Sequence, residues 1–282
     1  MVDIFKNHLF NRITIVRFCC LMVVVLFLQS CGYFTTSRKY HIVIDDSIVG
    51  GIPVWKKYAL IKKIEKDIDI VTQYFGITYT DTLTAYIFDN GRMEASRNRI
   101  YLHVGYLNNT HTILHEVTHG ILGVKGSCFE CEGVAVFVSD KFNPGQKLVY
   151  PDYVNRLKDQ YFDAINNRGA TIYPIRYLMV NDSLFRYEQA LYAYMQAGLF
   201  YQFLEARFGR DKLIEYDKHG VCRIEAIYGM SIDSLDTLWR DWLWTKDEIN
   251  SGSIKVKKYP PLGDKSGKGG SFLDLTSDGG KK

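Results

Sequence analysis

Three things the chain has little of narrow its chemistry. It has no long apolar run near its start: residues 18–28 are unbroken apolar but number only eleven, and a spanning helix needs about twenty. It has no basic block. The formal charge is +4, but residues 1–30 carry three basic and one acidic side chain, and residues 251–282 carry seven lysines and three aspartates. The stretch between is therefore slightly acidic, which argues against a surface that tracks a nucleic-acid backbone. It also has few cysteines, six in all. Cys128 and Cys131 form the one Cys-x-x-Cys pair outside the first thirty residues, and a zinc ribbon needs two such pairs.

What is present at the start is a basic segment (Lys6, Arg12, Arg17), the apolar run, and then Leu28-Gln29-Ser30-Cys31-Gly32. That order and length suit a signal peptide. The last five residues resemble a bacterial lipobox, which implies that Cys31 is lipidated and becomes the first residue after removal of 1–30. Several acyl chains on one cysteine anchor a protein stably where a single chain does not. The expectation is a lipid-anchored protein of the bacterial cell envelope. With Cys19 and Cys20 in the leader, Cys128, Cys131 and Cys222 remain, and outside the cytoplasm two of the three form a disulfide. Residues 251–282 hold seven glycines and a Pro260-Pro261 pair among Ser, Lys and Asp; this composition reads as a disordered tail.

With 7 histidines in 282 residues, a chance His-Glu-x-x-His match is uncommon. One occurs in His115-Glu116-Val117-Thr118-His119. Residues four apart on a helix share a face, so the two imidazoles can reach one tetrahedral ion. Glu116 stands one step further round, at the place of a general base for a metal-activated water. Ile113, Leu114, Val117, Ile121 and Leu122 form an apolar stripe beside the histidines, and Gly120 and Gly123 offer the helix a stop.

Around this motif, the pattern predicts a strand over residues 40–44, an amphipathic helix over 55–75, a strand over 83–88 and another over 98–104, with Asp89-Asn90-Gly91 as a turn. The strand before the metal helix is a candidate sheet edge for an extended peptide. His103 and His111 read as ordinary surface or strand histidines. A catalytic zinc needs a third protein ligand, and Glu130, Glu132 and Glu188 are the candidates. Glu132 follows His119 by thirteen residues, room for a loop and a returning helix, and the small Gly133 and Ala135 would let that helix approach closely.

His115-Glu116-Val117-Thr118-His119 followed by Glu132-Gly133-Val134-Ala135 resembles the gluzincin metallopeptidases, thermolysin-like in their zinc site, and most of all the peptidase MA-like group. The similarity continues through Ile172-Tyr173-Pro174, through Tyr192 to Gly209, and through Gly229 to Leu243. It covers about residues 80–245. The resemblance implies one zinc ion on His115, His119 and Glu132, Glu116 as base and proton shuttle, and Tyr194 as donor to the oxyanion, with Tyr192 as its neighbouring alternative. The fold expected is α+β: a small mixed or antiparallel sheet with the metal helix over about 38–123, then a mainly helical part over about 124–250. The function expected is peptide-bond hydrolysis on a peptide or protein substrate. A zinc-containing module that binds peptide without cleaving it is the alternative, and Glu116 discriminates between them.

Overall fold

The computed structural model describes residues 39–90, 94–123, 128–143, 157–186 and 190–244. The leader, Cys31, Glu188 and the glycine-rich tail lie outside them. Strand β1 (His41–Asp45) leads through α1 (Val54–Phe75) to β2 (Thr82–Phe88), which pairs parallel to β1 with His41 opposite Thr82. Strands β3 (Glu94–Ser96) and β4 (Arg99–His103) form an antiparallel hairpin, and β4 pairs parallel to β2. The sheet order is β1-β2-β4-β3. The alternation is that of a sheet covered on one face: Ile42, Leu83, Ala85, Ile87, Ile100 and Leu102 are buried, while Val43 is exposed and Tyr86 and Tyr101 stack half-buried on the other side.

Helices cover the buried face. On α1 the residues Ile61, Ile64, Ile68 and Val71 recur at helical spacing and are all buried. Beside it lies α2 (Thr110–Leu122), begun by the Asn109 side chain accepting from Thr112 N at 3.1 Å and ended by Gly123 in the left-handed conformation, φ 72°. Gly120 does not end the helix. A Cβ there would stand 3.0 Å from Ile100 and 3.1 Å from Leu83, so this glycine sets how closely α2 rides on the sheet.

The second half is helical: α3 (Phe129–Phe142), α4 (Leu157–Arg168), α5 (Ile175–Val180), α6 (Ala190–Phe208), α7 (Arg210–His219), α8 (Ile224–Tyr228) and α9 (Ile232–Leu243). Its core is aromatic, with Phe129, Phe137, Phe200, Tyr201, Phe203 and Trp239 buried together. The closest approach is between α3 and α6. A Cβ on Gly198 would stand 2.3 Å from Val136, and one on Gly133 would stand 2.8 Å from the Tyr201 ring. Gly133 therefore makes room for α6, not for the metal helix as the sequence pattern suggested.

The molecule is thus α+β with a mixed sheet, as expected. Two details differ. The hairpin strand β3 went unforeseen, and because it covers β4, the strand before the metal helix is interior to the sheet. The unpaired outer edge on that side belongs to β3.

Candidate metal centre

Helix α2 presents His115 and His119 one turn apart, and α3 brings Glu132 to meet them. The Nε2 atoms of the two histidines are 3.1 Å apart. Glu132 Oε2 lies 3.1 Å from His115 Nε2 and 3.4 Å from His119 Nε2. The first turn of α3 holds Glu132 in place. Cys128 is its N-cap, its carbonyl accepts from Glu132 N at 3.0 Å, and a disulfide joins it to Cys131. This answers the three-cysteine question: Cys128 and Cys131 pair, and Cys222 is free and exposed.

The electrostatics follow from this meeting. Burial pushes the Glu132 carboxyl up, but hydrogen bonds from His115 and His119 outweigh it and hold the group down at about 2. Burial lowers His115, and the Glu132 hydrogen bond with the charges of Glu116 and Glu132 more than reverses that, leaving it raised. Glu116 is raised, first by burial, with the two histidines opposing and Glu132 and Glu94 adding. Glu116 is only 5 % exposed and its Oε2 has no hydrogen-bond partner among the described residues. Glu94, on the unforeseen β3, is the one nearby group that the sequence pattern gave no reason to place here.

The three ligand atoms could hold a metal ion. A tetrahedral zinc with bonds near 2.0–2.1 Å sets its ligand atoms about 3.3 Å apart, which is the edge length of this triangle. Two nitrogens and one carboxylate oxygen suit zinc and not calcium, which takes six to eight oxygens. No family model, curated protein or solved structure matches the chain.

The remaining candidates are sorted by their neighbours. Glu130, two residues before Glu132, faces the other way: its carbonyl accepts from Tyr201, and its charge acts on Tyr216 and Asp217. His103 caps a short turn, accepting from Gly105 N at 3.0 Å, with its Nε2 2.9 Å from the Asp89 carbonyl. His111 is neither surface nor strand but buried on α2, 1 % exposed. Tyr194 sits half-buried on α6, donates its hydroxyl to the Phe185 carbonyl at 3.0 Å and stacks on the Phe185 ring.

Proposed function

We propose that the chain is a zinc-dependent peptidase of gluzincin type, with His115, His119 and Glu132 holding the ion and Glu116 as general base. The observation that carries this is Glu116. A structural metal site has no need of a carboxylate beside the ligands, and burying one with an unmatched oxygen costs several kcal/mol. Such a group is retained where a proton must be taken.

When bound, zinc supplies Lewis acidity toward water and a carbonyl oxygen. Glu116 takes the proton from the water as its oxygen adds to the peptide carbonyl, and returns it to the departing amine nitrogen. Tyr194 serves as oxyanion donor by releasing the Phe185 carbonyl, and such a donor contributes about 3 kcal/mol to the transition state. The lipobox-like Leu28 to Cys31 completes the reading by tethering the enzyme to the envelope. No helix among the described residues is long and apolar enough to cross a membrane.

The test uses the full chain, with zinc content and cleavage of a peptide library measured on wild type, His115→Ala and Glu116→Gln. One zinc per wild-type chain, lost in His115→Ala and kept in inactive Glu116→Gln, supports the proposal. Cleavage by zinc-replete Glu116→Gln sinks the mechanism. Zinc without cleavage by wild type favours the peptide-binding module.

A further inference from the structure

The outer face of α1 is unusual for a solvated helix. Trp55 and Tyr58, one turn apart near its start, are 68 % and 53 % exposed. Lys56 reaches over the Trp55 ring at 5.4 Å and Lys62 over the Tyr58 ring at 5.8 Å. Lys62 also pairs with Glu65 at 2.7 Å. Ala59 and Lys66 continue the exposed stripe. Its far end is where the described chain begins: Lys39 pairs with Asp69, and Tyr40 donates to Asp69 at 2.6 Å.

We infer that this stripe docks on an anionic lipid bilayer surface. Two features of the stripe select that partner. Tryptophan and tyrosine with lysines between them match the headgroup layer, where amphipathic rings settle and cations meet lipid phosphates. A protein–protein interface shares the aromatic rings but is depleted in lysine, so the interleaved lysines are what favour the bilayer. The second feature is its reach from the anchor, which rests on the reading of Cys31 as the lipid anchor. Cys31 is eight residues before Lys39, so the lipid lies within about 27 Å of that end of α1. From Asp69 to Trp55 the helix runs about 21 Å. The anchor therefore holds the whole stripe within reach of the bilayer, where a weak surface preference is amplified by tethering.

The experiment measures tryptophan emission of the full chain in vesicles of phosphatidylglycerol and phosphatidylcholine with brominated acyl chains, comparing wild type with Trp55→Phe. The difference isolates Trp55 from Trp239, Trp242 and Trp244. The Trp55 emission should be at least halved by bromine on anionic vesicles and little changed on pure phosphatidylcholine. Each lysine at an anionic surface contributes roughly a factor of five, so Lys56→Glu, Lys62→Glu and Lys66→Glu together should lower the docked-to-free ratio more than about a hundredfold and remove the quenching. Unquenched Trp55 on anionic vesicles overturns the inference. Equal quenching on neutral vesicles overturns the anionic partner, and Trp55 that becomes buried with protein concentration in the absence of vesicles points to a second copy and overturns it too. The mass of the Cys31 peptide, read on the same sample, separates the two readings: lipidated Cys31 with unquenched Trp55 leaves the anchor standing and removes the docking surface. Unmodified Cys31 with quenched Trp55 supports the surface and removes the anchor.

Discussion

Three histidines stand one turn apart on α2, at 111, 115 and 119, and their neighbours divide the helix into two regions. At His111 the neighbour is Lys63 of α1. Burial drives this imidazole down to about 3, with His115 and Lys63 adding to the fall, so it is a neutral core side chain. One turn later His115 is half-buried, yet is raised, because Glu132 of α3 accepts its hydrogen bond. The difference teaches that helical spacing places an imidazole on a face, and the facing helix decides what it becomes. Where α3 offers a carboxylate, two histidines converge on a common point; at position 111 burial sets the third aside as a neutral side chain.

The strongest way to break the comparison is to remove that carboxylate. Losing an outer-shell partner alone costs ~10–100-fold in metal affinity; Glu132→Ala removes a proposed ligand and should cost more than ~100-fold and, on the proposed function, all cleavage with it. His111→Leu should leave the metal in place. Titration with a competing chelator measures both, and equal losses would mean that the two regions are one site. Glu116→Gln comes next. It should keep the metal and lower kcat by roughly 10²–10⁴, measured on a peptide substrate with zinc content read alongside. A variant that retains kcat removes Glu116 from the chemistry.

Much of the favourable region was legible because its signals are local. His115, Glu116 and His119 lie within five residues, α1 matches its expected bounds to within one residue, and α2 begins three residues before Ile113 and ends at Leu122. Glu132 was one of three carboxylates until α3 was seen to turn it toward α2 and Glu130 toward α7. What stayed hidden depends on partners distant in sequence. Three residues, Glu94 to Ser96, are too few to carry a strand period, so β3 and the position of Glu94 beside Glu116 could not be read. Gly133 looked like a means of approaching α2 until Tyr201, 68 residues later, proved to fill the space above it. His111 belongs to the same class, since its burial depends on α1.

Acid should separate the two regions by sign. Asp67 on α1, fully buried and paired with Lys63, is pushed up by burial to about 6, with Lys63 opposing. Its ordinary value is 3.8, so the folded chain binds this proton more tightly than the unfolded one. Its contribution to stability is greatest below about pH 4 and falls by about 3 kcal/mol as the pH rises past 6. Glu132 in the metal-free protein runs the other way. Its folded value lies below its ordinary 4.5, so it stabilises above pH 4.5 and the contribution is lost as the pH falls through about 2. Urea unfolding of wild type and Asp67→Asn at pH 4 and pH 7 tests the first: wild type should lose about 2 kcal/mol relative to the variant on going to pH 7, since pH 4 lies just above the ordinary carboxyl value and leaves part of the full change outside this range. A constant difference would mean that the α1 region does not titrate.

The smallest effect expected sharpens the comparison at the carboxylate itself. Asn109 begins α2 with a side-chain cap, and α3 begins at Cys128, whose Sγ accepts from Cys131 N at 3.2 Å and whose bond to Cys131 closes a loop of only four residues. In the chain-entropy account such a short loop stabilises by about 2 kcal/mol at most, and serine at position 128 would itself cap the helix. The Cys128→Ser, Cys131→Ser pair should therefore lower stability by about 1–2 kcal/mol. It should weaken metal binding less than about tenfold, because the bond from Glu132 N to the carbonyl of residue 128 survives the change. The same chelator titration reads this directly. A loss as large as that of Glu132→Ala would mean that the disulfide, and not the helix turn, aims the carboxylate at His115 and His119, and the metal centre would then depend on an oxidising compartment.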